Sequence, residues 1–216
     1  MVDKLGEIIP HILFIGTGVA FTLKLLAGGL LLGSGLGTFF AIIRHKGIGA
    51  KIINAIISVL RGTPLILQLS FIYFSVPNIT GMKLSILMAG IISFGLNSSA
   101  YVAEILRAGI ESLPPGQFEA AKTLEIPHFY MWKDIILPQV IKNILPAMIN
   151  EIITLLKETA LIATLGGLDI MRKAQILASE QFTYFIPLCI AGGYYYLLVL
   201  LVEQAGKKIQ QKYAKT

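Results

Sequence analysis

The sequence predicts an all-α integral membrane protein of about five transmembrane helices, folded as a single domain over residues 1–216. Three observations lead there. Hydrophobic residues make up 55% of the chain and charged residues only 14%, with a mean hydropathy of +0.76, far from the balance of a soluble domain. Five apolar stretches are each long enough to cross a bilayer, which takes roughly 20 helical residues. Between the third and the fourth lies a segment, residues 119–138, that holds Glu119, Lys122, Glu125, His128, Lys133 and Asp134. Such a segment faces water.

Taken in order, residues 5–16 mix apolar positions with Glu7, Pro10 and His11 and read as an amphipathic lead-in lying at the interface. They lack the basic start and compact apolar core of a cleavable signal, so none is expected. The first span covers about 19–43, where Gly29, Gly33 and Gly37 recur every four residues and flatten one face for close helix packing, within one subunit or between two. Gly33, Gly35 and Gly37 are not followed by Gly-Lys-Ser/Thr, so the chain has no phosphate loop and its energy must come from a partner. After the basic loop of Arg44, His45, Lys46 and Lys51, the second span runs over about 52–76 and is interrupted at Arg61-Gly62-Thr63-Pro64. Pro77, Asn78 and Gly81 turn the chain. The third, fourth and fifth spans fall at about 84–106, 136–165 and 185–205, and 166–183 is polar enough to leave the membrane.

The polar loop is itself two helical pieces. Good helix formers occupy 118–124, and Ile126-Pro127 then breaks the run, because a residue before proline is pushed out of the α region while proline suits a first turn. With this loop cytoplasmic, its side carries Arg44, Lys46, Lys51, Arg107, Lys122, Lys133, Lys207, Lys208, Lys212 and Lys215, against Lys4, Lys83, Arg172 and Lys173 on the other. That bias predicts the N-terminus outside and the C-terminus in the cytoplasm. It also accounts for the net charge of +6 without nucleic acid. The single cysteine, Cys189, lies in an apolar run and forms no disulfide within the chain.

The spacing of Glu119-Ala120-Ala121 and, after a gap, Ile135-Ile136-Leu137-Pro138 resembles the EAA loop of permease subunits of ATP-binding cassette (ABC) importers. LRGTPLILQL (60–69), SSAYVAEILRAGI (98–110) and KETALIATLGGLDI (157–170) look like the polar amino acid branch, the histidine, arginine, lysine and glutamine type. The resemblance implies a type I ABC importer permease fold in a prokaryotic plasma or inner membrane. It also implies that a coupling loop, about 107–138, docks on an ATPase subunit through Glu119, Ala120, Ala121, Thr123, Leu124, Pro127 and His128. A bulky change at Ala121 is then expected to uncouple transport and leave the spans folded. The partners implied are two ATPase subunits holding ATP and magnesium, a second permease copy or paralogue, and an extracytoplasmic substrate-binding protein. No cofactor is implied in this chain. One departure stands out: Glu125 occupies the place where the family has Gly, so the turn is expected to depart from the glycine geometry, or to carry strain if Glu125 holds φ > 0.

Polar groups inside a span are costly and are functional candidates by default. Asn97, Tyr101 and Glu104 fall at i, i+4 and i+7 on one face of the third span, flanked by Ser98, while Glu151, Thr154 and Glu158 share a face of the fourth. Two such faces could line one cavity. With Arg61 these are the candidate substrate-binding residues. Glu104, Glu151 and Glu158 outnumber the one mid-span cation, Arg61, which is suited to grip an α-carboxylate as a fork. The surplus predicts a basic amino acid, arginine, lysine or histidine, ahead of glutamine, with Glu104 as the side-chain partner. Each candidate also has a packing reading: Arg61 paired with Glu151 or capping carbonyls near Pro64, Glu104 and Glu158 in ion pairs, and Asn97 and Ser98 bonded to neighbouring helices. The run Tyr194-Tyr195-Tyr196 reads as packing. A gradient-driven carrier or channel, with Glu104 and Glu158 as cation sites, is the rival class, and it has no need of an EAA loop. No metal cluster is expected from His11, His45 and His128.

Overall fold

A computed structural model describes residues 2–47 and 49–214, with side chains from Ile8 to Tyr213 except that of Ile48. Lys215 and the side chains of Lys4 and Glu7, all used above, lie outside the described residues. The helices are α1 (Val2–Gly16), α2 (Val19–Lys46), α3 (Ala50–Gly62), α4 (Leu65–Ser70), α5 (Val76–Thr80), α6 (Ile86–Glu111), α7 (Pro115–Thr123), α8 (His128–Tyr130), α9 (Leu137–Glu158), α10 (Ile170–Glu180) and α11 (Phe185–Ala214). Wide π turns join α4 to α5 and α8 to α9, and a tight 3-10 stretch, Thr159–Leu165, follows α9.

The first span is a long apolar helix closed at its end by chemistry the sequence supplies. Arg44, His45 and Lys46 occupy its last turn, where they meet the negative end of the helix dipole, and Gly47 takes the left-handed conformation and returns its N–H to the Arg44 carbonyl. Along this helix the small residues face α6. A Cβ on Gly33 would sit 2.8 Å from the Ser98 Cβ, and one on Gly37 would sit 2.7 Å from the Val102 Cβ and 2.8 Å from the Ser99 carbonyl oxygen. The glycine face is therefore used within the subunit.

The expected lead-in is not a separate interfacial segment. It is α1, which with α2 gives an apolar run over Ile8–Lys46, and it lies against α10 and α11: Ile15 is fully buried beside Ile170, Ala174, Leu177 and Ala191. The Tyr194 hydroxyl donates to the Ile12 carbonyl at 2.9 Å. Residues 166–183, expected to leave the membrane, hold a packed helix, because α10 buries Ile170, Ala174, Leu177 and Ala178. Asp169 caps α10 through the Arg172 and Met171 N–H groups; burial pushes its carboxyl up, against the pull of those bonds and of the Tyr195 hydroxyl.

Among the described residues three helices are long and apolar enough to cross a membrane: Ile8–Lys46, Ile86–Glu111 and Phe185–Tyr213. The interrupted second span is a pair, Ala50–Gly62 and Leu65–Thr80, bent by 103°. Thr63 is extended and Pro64 cannot continue the helix, which sets the bend. The carbonyls freed there are taken by amides: Gln68 Nε2 donates to the Leu60 carbonyl at 2.8 Å and the Thr63 carbonyl at 3.2 Å, besides the Thr63 hydroxyl at 2.8 Å, and Asn97 Nδ2 donates to Leu60 at 3.2 Å. Arg61 is not needed for them. The fourth expected span, α9, is too polar to stand as an apolar span by itself and packs instead against α2, α6 and α11. The central core gathers Leu25, Leu26, Leu65, Leu69, Phe94, Leu155, Leu156 and Ile162 from α2, α4, α6, α9 and the 3-10 stretch.

Contrary to expectation, the coupling-loop turn does not depart from the glycine geometry and is left-handed. Glu125 has φ of 52°, its N–H bonds the Lys122 carbonyl at 3.1 Å, and the Ile126 N–H reaches the Ala121 carbonyl at 3.0 Å, a Schellman close to α7. A non-glycine residue there carries strain of about 1 kcal/mol. Glu125→Gly removes that strain and adds unfolded-state freedom of similar size, so thermal unfolding in detergent should show no loss and a gain of at most ~1 kcal/mol. A fall in midpoint would mean that Glu125 makes a stabilising contact. Gly37→Val drives carbon into the α6 backbone and should cost at least 1–3 kcal/mol, on the order of an overpacked core, in the same measurement; unchanged unfolding would show that α2 and α6 can separate freely.

Candidate functional site

The contact of α2 with α6 brings the predicted polar face of α6 against two sets of partners. The deeper set is buried. Ser98, 1% exposed, donates its hydroxyl to Glu151 Oε1 at 2.6 Å, and Glu151 itself is only 9% exposed. Asn97 is spent on the Leu60 carbonyl at the bend. Glu158 lies two turns further along α9, half-buried, and Thr154 is exposed. Among the described residues no lysine or arginine forms an ion pair with Glu151 or Glu158. Arg61 is not the partner of Glu151 that the sequence allowed.

The second set surrounds Glu104, whose side chain is 19% exposed. Arg44, from the last turn of α2, bonds its Oε1. Arg107 reaches Oε2 with both Nε, at 3.1 Å, and Nη2, at 2.8 Å, and sends Nη1 to Glu111 at 2.5 Å. Arg61, from the last turn of α3, stands 3.7 Å from Oε2 with its guanidinium 5.5 Å from the centre of the Tyr101 ring. Three guanidinium groups against two carboxylates leave this cluster with one positive charge in excess, which corrects the expectation that Glu104 contributes to a negative surplus. Its oxygens are already held, as charge-assisted bonds of this kind hold them firmly.

Open space adjoins this cluster. A cleft of about 430 Å³ is lined by Arg61, Tyr101, Glu104, Arg44 and Asn54 among others, and one of about 570 Å³ by Arg61, Tyr101, Glu104, Arg107 and Asn143. Arg61 borders both, with 44% of its side chain exposed. Arg61, Tyr101 and Glu104 thus border open clefts, whereas Ser98 and Glu151 share a buried hydrogen bond and Asn97 bonds the Leu60 carbonyl. Sequence reasoning passed over Arg44 and Arg107, counting them only for orientation. The i, i+3, i+7 series Glu104, Arg107, Glu111 was readable on one helix face; Arg44, sixty residues from Glu104, was not.

At the coupling loop, Glu119, Ala120, Thr123, Leu124, Pro127 and His128 are exposed, Leu124 by 71%. Ala121 differs. It is 3% exposed within this chain alone, so a tryptophan there meets the chain's own atoms and does not leave the fold untouched. His128 accepts a hydrogen bond from Trp132 Nε1 at 3.0 Å, and Trp132 packs edge-on to His45 and Phe118. Phe129 and Tyr130, 66% and 53% exposed, extend the apolar surface beyond Leu124 and were not among the predicted contacts.

Residues 29–215 match the family described as binding-protein-dependent transport system inner membrane component. The putative glutamine transport system permease protein GlnP of Rickettsia typhi is 48% identical over 98% of each chain. The arginine transport system permease protein ArtQ of Bacillus subtilis is 42% identical over 94% of each. The crystal structure of an amino acid ABC transporter with histidines superposes with a TM-score of 0.88 at 36% identity, covering 95% of this chain and 97% of that one. The resemblance seen in the EAA loop therefore extends along nearly the whole chain, which belongs to the binding-protein-dependent inner membrane components, the permease subunits of ABC importers.

Proposed function

We propose that this chain forms the translocation pathway of an ATP-driven importer for a polar amino acid, with a preference for a basic side chain. The observation that carries the side-chain preference is Glu151: a buried carboxylate whose partner is a neutral hydroxyl, with Glu158 nearby and no arginine or lysine paired to either among the described residues. A buried charge left without a counter-charge costs several kcal/mol, roughly what a guanidinium, ammonium or imidazolium brought by the substrate offsets. Arg61, planar, half exposed and bordering both clefts, is the group to take the α-carboxylate, and a basic side chain reaches Glu151 when the pathway opens to that buried carboxylate. The role first given to Glu104 thus passes to Glu151 and Glu158.

A glutamine-type substrate is the second reading. It is favoured by the excess positive charge of the Glu104 cluster and by the relative named for glutamine transport. The chain would work with a second permease, its copy or a paralogue, with two ATPase subunits that hold ATP and magnesium, and with an extracytoplasmic binding protein. The loop that bears Leu124 would face the cytoplasm, with the N-terminus outside.

Reconstituted uptake with Glu151→Gln separates the two readings. Loss of the buried charge should lower arginine and lysine uptake on the order of tenfold or more, in line with ~1.4 kcal/mol or more of lost pairing, and leave glutamine uptake within about twofold. Arginine uptake unchanged alongside glutamine would turn the assignment to the neutral amino acid. For coupling, Leu124→Asp should abolish copurification with the ATPase subunit, because a carboxylate then replaces an exposed apolar contact at no cost to the chain's own core. Full retention of ATPase binding and uptake in that variant would remove the loop from the docking surface.

A further inference from the structure

The cluster around Glu104 holds one asymmetry that static packing does not call for. Arg44 and Arg107 bond the carboxylate directly, whereas Arg61 stands at 3.7 Å, beyond hydrogen-bond reach, with its guanidinium over Tyr101 and 44% of its side chain open to the clefts. Three cations compete for one carboxylate; Arg44 and Arg107 also border the clefts, Arg107 with 40% of its side chain exposed, but Arg61 alone borders both and stands beyond hydrogen-bond reach of Glu104. The other two come from helices that meet along the glycine seam, α2 and α6.

We infer that Glu104 is a positioning residue that competes with the substrate carboxylate for Arg61, and that Arg44 and Arg107 hold Glu104 back so that Arg61 stays available. The inference rests on the proposal that Arg61 receives the α-carboxylate. A carboxylate accepts charge-assisted bonds in preference to longer ionic contacts, so each guanidinium that occupies its oxygens weakens its hold on the next. Removing Arg44 or Arg107 frees an oxygen of Glu104 for a direct bond to Arg61. Arriving substrate must then break that bond, and coupling of this kind between two ligands of one group acts reciprocally. Because the exchange involves only the α-carboxylate, its effect is the same for every amino acid the permease carries. It also bears on motion: Arg61 sits at the end of α3 where the chain bends by 103°, so a carboxylate that draws Arg61 from Glu104 loosens α3 from α6.

The test uses the complete transporter in proteoliposomes, with arginine and glutamine as paired substrates. Arg44→Gln and Arg107→Gln should each raise KM for both substrates by a common factor, about fivefold or more, with kcat changed far less. Arg107→Lys, which keeps a cation beside Glu104, should restore most of the affinity. Adding Glu104→Gln to Arg44→Gln should return KM toward the wild-type value, since the competitor is gone. An unchanged KM in both single variants, or a double variant no better than Arg44→Gln alone, overturns the inference. A KM change confined to arginine also overturns it, and assigns Glu104 to the substrate side chain. Arg61→Gln serves as the separate check: if it leaves KM unaltered, the carboxylate role of Arg61 fails by itself, whatever the other variants do. Copurification of the ATPase subunit and the unfolding midpoint of each variant separate these effects from loss of folding; an Arg44→Gln chain that does not assemble is replaced in the test by Arg107→Gln.

Discussion

The close approach of α2 to α6 is the constraint on which the rest of the structure depends. Gly33 and Gly37 leave no room for a Cβ against Ser98, Ser99 and Val102, so the two helices run together at backbone distance. In a membrane, where lipid is as apolar as leucine, such tight van der Waals contact is what holds helices to each other. The seam also fixes chemistry. It carries Arg44 at the end of α2 to Glu104 on α6, and it presents Ser98 from the same contact to Glu151 on α9.

Charge inside the chain is arranged in two unlike groups. Around Glu104 opposite charges are gathered and satisfied, with Arg61 as the least committed member. At Glu151 a carboxylate is enclosed with a hydroxyl. Buried ion pairs add little to stability because desolvation offsets their attraction, whereas an uncompensated buried charge is expensive. The first group is thus a place where contacts can be exchanged at small net cost, and the second a carboxyl whose enclosure no counter-charge offsets among the described residues.

Much of this was legible in the sequence, for reasons that differ by element. Apolar runs of bilayer length gave α2, α6 and α11, because burial in lipid demands composition rather than partners. The EAA spacing and Pro127 located the two pieces of the loop, but the glutamate in place of glycine suggested a different turn, and the left-handed form is kept at Glu125 because the Schellman bonds that close α7 require it. Other features depend on tertiary contact and could not be read. The lead-in joins the helical body because Ile15 finds Ile170 and Ala174, which lie more than 150 residues away. The charge balance of the site was misjudged for the same reason: Arg44 looked like a loop residue until the glycine seam set it beside Glu104. Polar faces are visible in a single helix, but their partners are not.

The 103° bend has a consequence for depth. At 1.5 Å per residue the 13 residues of α3 extend about 20 Å, short of the roughly 30 Å of hydrocarbon that a straight span must cover. A helix of that length covers only part of a bilayer's depth, and its last turn carries Arg61. A guanidinium inside a membrane protein needs a counter-charge or open space beside it, and Arg61 has both, Glu104 at 3.7 Å and the two clefts it borders. Along those clefts the chain sets open space, and not hydrocarbon, beside a charged helix end.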